Sequence, residues 1–290
     1  MENSLPMIDS IIPPHRQAKW EKVDGSEGIA LLHDKFWGDD NFGKQTLKVR
    51  EDEGPEEDRD EGPEEDKDDP DDPDCFTLDH GIQILGHSKL WVRKEYIRMY
   101  KYCDEFLETN RNKGTPPSLI ITGQPGIGTC FTLLYYITVI EIYTLKGKSF
   151  WLVYAVCRRL AEKKPTMWYR EPDVYLFVTD GVYRYPMIPS SDSFRTRIWT
   201  FVDADSEKSI PSSLARQHTN YLNVFTSSPN QERWAPLTKT TNYKVAIMNP
   251  WTRGEISHAL AHSLLPSMFE LTNLFCVVLP FMDLNPTIRE

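Results

Sequence analysis

The sequence lacks the features that mark secreted and metal-binding proteins. Its five cysteines are odd in number and scattered, and no two have the C-x-x-C spacing typical of zinc sites and redox motifs. The first twenty residues contain no basic segment followed by an apolar one, which is the pattern of a secretory signal. These absences argue against a disulfide framework and a zinc site, and they favour a reduced intracellular compartment, cytoplasmic or nuclear.

Residues 51–74 lack apolar side chains and have little positive charge. They hold sixteen acidic residues, two basic residues and four prolines, and they repeat the heptapeptide DEGPEED. Because such a segment cannot bury enough apolar surface to offset the entropy lost on ordering, we predict a disordered acidic linker. The alternative is an acidic tail for basic protein partners. The chain's net charge of −10 comes from this linker, so the remainder is weakly basic and gives no clear nucleic-acid signal.

The linker separates an N-terminal lead-in, residues 1–50, from a predicted domain, residues 75–290. With 40% hydrophobic residues, the chain has enough apolar material for a core. Strand-like apolar runs lie at 118–122, 198–202, 221–226 and 243–248, and helical spacing lies at 90–110 and 148–160.

An incomplete phosphate-binding motif follows the first of these strands. Gly123 to Gly128 read GQPGIG, the first six positions of G-x-x-x-x-G-K-[ST]. In that motif glycine N–H groups and a helix N-terminus bind phosphate, the Lys contacts the β and γ phosphates, and the hydroxyl binds Mg²⁺. The next residues here are Thr129, which has no charge, and Cys130, whose thiol is a poor ligand for a hard cation. The Walker A motif is therefore interrupted.

The missing Lys and Ser occur 19 residues further on. Lys148 and Ser149 follow Gly147 and open a helical run, and joining Gly128 to Lys148 gives GQPGIGKSFWLVYAVCRRL, a complete motif with its helix. We hypothesise that residues 129–147 are a retained intron. The alternatives are a genuine insertion, or a helix in which Thr129 has replaced the Lys.

The second informative strand, residues 198–202, ends in Asp203-Ala204-Asp205. A carboxylate at the end of a buried strand, about fifty residues after a phosphate loop, predicts that Asp203 binds Mg²⁺ and that Asp205 orients the attacking water. Strand 221–226 is followed by two serines and a proline. Ser228 is a candidate contact for the γ phosphate, and a plain Ser-Pro turn is the alternative.

Taken in order, these motifs resemble a known family. They read ITGQPGIG, GKSFWLVYAVCRRLAEKKPTMWY, WTFVDAD, FTSSPNQERW, MNPWTRGEI and NPTIRE. The series resembles the fungal P-loop NTPase domains of Crinkler-like and retrotransposon-hot-spot-like proteins, which look related to AAA and STAND ATPases. It covers roughly residues 88–290 without 129–147. The resemblance implies a three-layer α/β fold with a central parallel sheet, and ATP or another NTP with Mg²⁺ as ligands.

The motifs and the resemblance together give a set of candidate site residues. The phosphate-binding set is Gly123, Gln124, Pro125, Gly126, Ile127, Gly128, Lys148, Ser149 and Ser228. The metal ligands are Asp203 and Ser149, and the candidate catalytic residues are Asp205, Arg233 and Arg289.

Three functions stay open at this stage. The first is an ATPase or switch-like NTPase, impaired in this chain by the interruption of its phosphate loop. The second is a catalytically inactive module that binds protein partners. The third is a membrane-anchored protein that uses residues 129–145, although Glu141 and the short apolar length argue against anchoring.

Overall fold

The computed structural model of the chain describes residues 7–42, 75–84, 87–110, 112–114, 117–123, 147–204, 213–214, 220–229, 232, 234–235, 242–250 and 255. The chain divides into two units, Met1–Trp251 and Thr252–Glu290. In the second unit the structure describes Glu255 alone. The acidic linker and residues 124–146 lie outside the described residues.

The helices of the described residues are α1 (Ile8–Ile11), α2 (Gly28–Phe36), α3 (Lys94–Asn110) and α4 (Gly147–Ala161). The strands are β1 (Glu21–Lys22), β2 (Cys75–Ile84), β3 (His87–Arg93), β4 (Ser118–Gly123), β5 (Thr166–Arg170), β6 (Asp173–Val178), β7 (Gly181–Tyr185), β8 (Ile198–Asp203), β9 (Tyr221–Thr226) and β10 (Tyr243–Met248). Short 3₁₀ turns cover Pro14–Arg16 and Ser191–Ser193.

Eight of these strands form one mostly parallel sheet, in the order β1-β7-β6-β5-β8-β9-β4-β10. Strands β5, β8, β9, β4 and β10 run parallel. Strands β6, β7 and β1 extend the sheet antiparallel beyond β5. The predicted α/β class is confirmed, and β4 lies inside the sheet, between β9 and β10.

The helix predicted from residue 90 begins four residues later, at Lys94. Residues 87–93 instead form β3, which pairs antiparallel with β2. Leu90 and Val92 are buried while Trp91 between them is half-buried, so this short segment has the period of a strand. An apolar run of this length fits either period, and the pairing with β2 decides between them.

The two faces of the sheet carry separate apolar clusters. In β4, Leu119 and Ile121 belong to the cluster that contains α4, whereas Ile120 belongs to the other. This alternation is that of a strand buried on both faces. Helix α4 is buried from Trp151 through Cys157, because it packs on the sheet and also against α2, α3 and β3.

The direction of α4 follows from its C-terminal contacts. Arg159, near the end of α4, donates to the hydroxyl of Thr166 at 3.3 Å and to the carbonyl of Pro165 at 3.3 Å, and Thr166 is the first residue of β5. The end of α4 therefore lies where the parallel strands begin. A helix of 15 residues is about 22 Å long, which is close to the length of a six-residue strand. Its N-terminus consequently points to the edge where the strands end.

Candidate functional site

The ends of the parallel strands meet at one edge of the sheet, which we call the carboxyl edge. Asp203 ends β8 and lies level with Thr226 at the end of β9. Thr226 in turn lies level with Ile121 of β4, so β4 extends two residues further, to Gly123. Because neighbouring strands are about 4.8 Å apart, the main chain of Asp203 lies about 10 Å from β4.

The connections between strands change direction at this edge. After β4 the chain continues to β5, which lies on the β9 side of β4. After the neighbouring strand β9 it continues to β10, which lies beyond β4 in the opposite direction. Adjacent parallel strands whose connections depart in opposite directions form the place where open α/β sheets bind ligands. The topology therefore puts the candidate site at the ends of β4 and β9.

Helix α4 brings Lys148 and Ser149 to the same edge. It begins at Gly147, so both residues lie in its first turn. Lys148 is half-buried and Ser149 is 4% exposed. The first turn of a helix presents unpaired N–H groups and a partial positive charge, which favour anions.

A hydrogen bond from the neighbouring strand orients Asp203. The hydroxyl of Thr226 lies 3.3 Å from Oδ1 of Asp203 and 3.5 Å from the carbonyl oxygen of Val202. Thr226 is fully buried, and its carbonyl accepts a hydrogen bond from the N–H of Ala204 at 2.8 Å. Sequence reasoning did not single out Thr226. Its signal was a polar residue at the end of a mostly apolar strand.

Two further hydroxyls at this edge have unused hydrogen-bonding capacity. Within the described part of the chain, Thr122 Oγ1 and Ser227 Oγ are buried and have no hydrogen-bond partner. The main chains of these two residues are adjacent, because the N–H of Ser227 donates to the carbonyl of Ile121, the residue before Thr122, at 3.0 Å. A buried polar group without a partner costs about 1–3 kcal/mol. Such groups are suited to a bound water or a polar ligand.

The oxygen donors at this edge are of the kind that magnesium binds. No group of three or more His, Cys, Asp or Glu side chains that could hold a metal ion occurs in the described residues. Magnesium keeps several waters and takes one or two protein oxygens together with phosphate oxygens. The carboxylate of Asp203 and the hydroxyl of Ser149 are hard oxygen donors of this kind.

A charged cluster anchors the opposite end of α4. Glu162 accepts hydrogen bonds from Tyr100 at 2.8 Å and from Arg158 at 2.8 Å, and it pairs with Lys164 at 2.8 Å. Burial opposes the ionisation of Glu162, yet these donors outweigh it and hold the pKa of the carboxyl below its usual value. Burial also raises the pKa of the Tyr100 hydroxyl. The cluster lies far from the carboxyl edge. The ionised Glu162 and the neutral Tyr100 hydroxyl therefore stabilise the end of α4 and take no part in the candidate site.

The structure brings together part of the predicted site. Gly123, Lys148, Ser149 and Asp203 lie on elements that end or begin at the carboxyl edge, and Ser228 lies two residues after the end of β9. The remaining predicted residues lie outside the described residues: Gln124, Pro125, Gly126, Ile127, Gly128, Asp205, Arg233 and Arg289.

Comparison with protein-family models, with curated proteins and with solved structures found no match for this chain. Among the residues that the structure describes, no helix has the length and apolar character needed to cross a membrane. The segment considered for anchoring, residues 129–145, lies outside them.

Proposed function

We propose that the carboxyl edge is a P-loop nucleotide site, which binds ATP or another NTP with Mg²⁺ in a three-layer P-loop NTPase fold. One observation carries the proposal. Strand β4 ends at Gly123, the first glycine of the interrupted motif, and helix α4 begins at Gly147, directly before Lys148. The two halves of the motif are thus the end of a buried parallel strand and the start of the helix that follows it, as the phosphate-loop chemistry requires.

In this proposal Lys148, Ser149 and Asp203 each have a defined chemical role. The Lys148 ammonium neutralises charge on the β and γ phosphates, and N–H groups at the start of α4 add donors. Ser149 and Asp203 supply protein oxygens to Mg²⁺. Asp203 and the end of β4 are about 10 Å apart across the end of β9, a separation that in this proposal is bridged by a phosphate group and a metal ion whose oxygen ligands lie about 2.1 Å away.

The remaining predicted residues have roles at the γ phosphate in the same proposal. Asp205 orients the attacking water, and Ser228 contacts the γ phosphate. Arg233 and Arg289 stabilise the negative charge that develops on transfer.

The 19 residues 129–147 separate Gly128 from Lys148 in the full chain, and we propose that they impair nucleotide binding. A charge-assisted contact of the kind Lys148 makes contributes about 1.5–3 kcal/mol, which is roughly ten- to a hundredfold in affinity. We therefore expect the full chain to bind Mg²⁺-ATP at least tenfold more weakly than the form without these residues. Calorimetric titration of both forms measures this ratio.

Equal affinities of the two forms would contradict the impairment. They would show that residues 129–147 leave the glycine loop and the helix start in register, as a genuine insertion does. Sequencing the transcript across codons 120–155 decides the origin of the segment. The retained-intron hypothesis fails if every transcript carries codons 129–147.

A further inference from the structure

Two charged side chains at the junction between β3 and α3 hydrogen-bond to the main chain where β10 ends. Glu95 Oε1 accepts a hydrogen bond from the N–H of Asn249 at 2.6 Å. Arg93 Nη2 donates to the carbonyl of Pro250 at 2.7 Å, and Arg93 Nη1 donates to the carbonyl of Asn249 at 3.4 Å. We call Arg93 and Glu95 the clamp, since opposite charges hold consecutive main-chain groups of one short segment.

The clamp consists of buried charges. Arg93 is 1% exposed and Glu95 is 7% exposed. Arg98 donates two hydrogen bonds to the Glu95 carboxylate, each at 2.6 Å, and a third at 3.4 Å to the carbonyl of Ile247 in β10. Buried charges are costly unless they are fully bonded, and charge-assisted hydrogen bonds are the stronger ones. The end of β10 is therefore fixed more firmly than an ordinary strand exit.

The same turn of α3 also contacts α4 close to the candidate site. The indole N–H of Trp151 donates to the carbonyl of Tyr96 at 3.1 Å, and both side chains are fully buried. Trp151 lies two residues after Ser149, and Met248, which precedes Asn249, lies level with Gly123 of β4. One turn of α3 thus connects the strand beside Gly123 with the helix that carries Lys148.

From these contacts we infer that Arg93 and Glu95 are positioning residues of the proposed phosphate site. The clamp acts through Asn249 and Pro250 on the end of β10, which pairs with β4 at Gly123. Through Tyr96 the same turn holds the start of α4 at a fixed place relative to that strand. This inference rests on the proposed function for its biological meaning, whereas the mechanical coupling is testable without any nucleotide.

Hydrogen exchange of the full-length chain tests the coupling. In Glu95→Ala the Asn249 amide loses its acceptor, and we expect it to exchange at least about tenfold faster. We expect faster exchange also at Gly123 and in the first turns of α4, with β6 unchanged as an internal reference. The matched control is Glu21→Ala, which removes another Glu–Arg pair, with Arg184, at the exposed far edge of the sheet. It should leave all these amides unchanged.

Two results would overturn the inference. One is faster exchange confined to Asn249, and the other is a uniform increase that includes β6, which is the signature of a general loss of stability. If Glu95→Ala does not fold, Arg98→Ala provides the milder variant. Arg98 is half exposed, and its loss leaves the bond from Asn249 to Glu95 in place while weakening the clamp. It should raise exchange at the same positions by a smaller factor, and unchanged exchange at Gly123 would overturn the inference.

A second measurement separates this inference from the proposed function. In the form without residues 129–147, Glu95→Ala should weaken Mg²⁺-ATP binding by about tenfold. This factor corresponds to the loss of the charge-assisted hydrogen bond from Asn249 to Glu95, which holds the end of β10 in place. If the parent form binds ATP and Glu95→Ala binds it equally well, the positioning role fails and the proposed function stands. If the parent form binds no ATP, the proposed function fails, and the exchange result alone decides the coupling.

Discussion

Deleting residues 129–147 should produce a protein whose melting temperature rises when Mg²⁺-ATP is added. The deletion joins Gly128 to Lys148, so the glycine N–H groups and the ammonium face the same phosphates. A ligand present at a hundred times its Kd stabilises the folded state by about 2.7 kcal/mol. For a chain of this size that corresponds to a rise of roughly 5–10 °C. Differential scanning fluorimetry with and without nucleotide measures the shift.

The full chain serves as the control for this experiment, and its shift should be much smaller. AMP tests the role of the outer phosphates, because it lacks the β and γ groups that Lys148 contacts. A deletion form that melts cooperatively but shows no shift with Mg²⁺-ATP would contradict the joined-loop proposal. Cooperative melting matters here, since it separates an absent site from an unfolded protein.

Asp203→Asn in the deletion form should abolish most ATP turnover without unfolding the protein. The amide retains an oxygen that accepts the hydrogen bond of Thr226, so the local structure is preserved. It loses the negative charge that Mg²⁺ needs, and we expect turnover to fall roughly a hundredfold or more, as when other electrostatic transition-state contacts are removed. Phosphate release at several Mg²⁺ concentrations measures both turnover and metal dependence.

A matched control is Asp34→Asn, an exposed carboxylate on α2. This change should leave turnover and metal dependence as they are in the parent deletion form. Turnover of Asp203→Asn equal to that of its parent would show that another carboxylate holds the metal.

The sequence predicted the strands of the candidate site well because each is short, apolar and bounded by turn residues. The bounds of β9 and β10 were predicted as observed, and β4 and β8 each extend one residue beyond their predicted ends. Strands β4, β8 and β9 are buried on both faces, so they appear as largely apolar runs, whereas β10 at the end of the sheet is partly exposed. The start of α4 at Gly147 was equally visible, because a Gly-Lys-Ser sequence precedes residues at helical spacing.

Features that depend on register were beyond sequence reasoning. The contact between Thr226 and Asp203 requires that β8 and β9 be neighbours with these residues level, which local patterns do not specify. The clamp is a clearer case, since Arg93 and Asn249 are separated by 156 positions in the chain. Because the predicted helix began at residue 90, Arg93 was assigned to that helix and not to the end of a strand. Its strand depends on pairing with β2, a non-local interaction.

The most direct test of the account is calorimetric titration of Mg²⁺-ATP into the deletion form with a lysine changed at either end of α4. Lys148→Ala removes the ammonium at the carboxyl edge, and Lys164→Ala removes one just beyond the other end, where it pairs with Glu162. We expect Lys148→Ala to weaken binding roughly ten- to a hundredfold and Lys164→Ala to leave it unchanged. Unchanged binding by Lys148→Ala, or an equal loss in both variants, would contradict a nucleotide site at the start of α4.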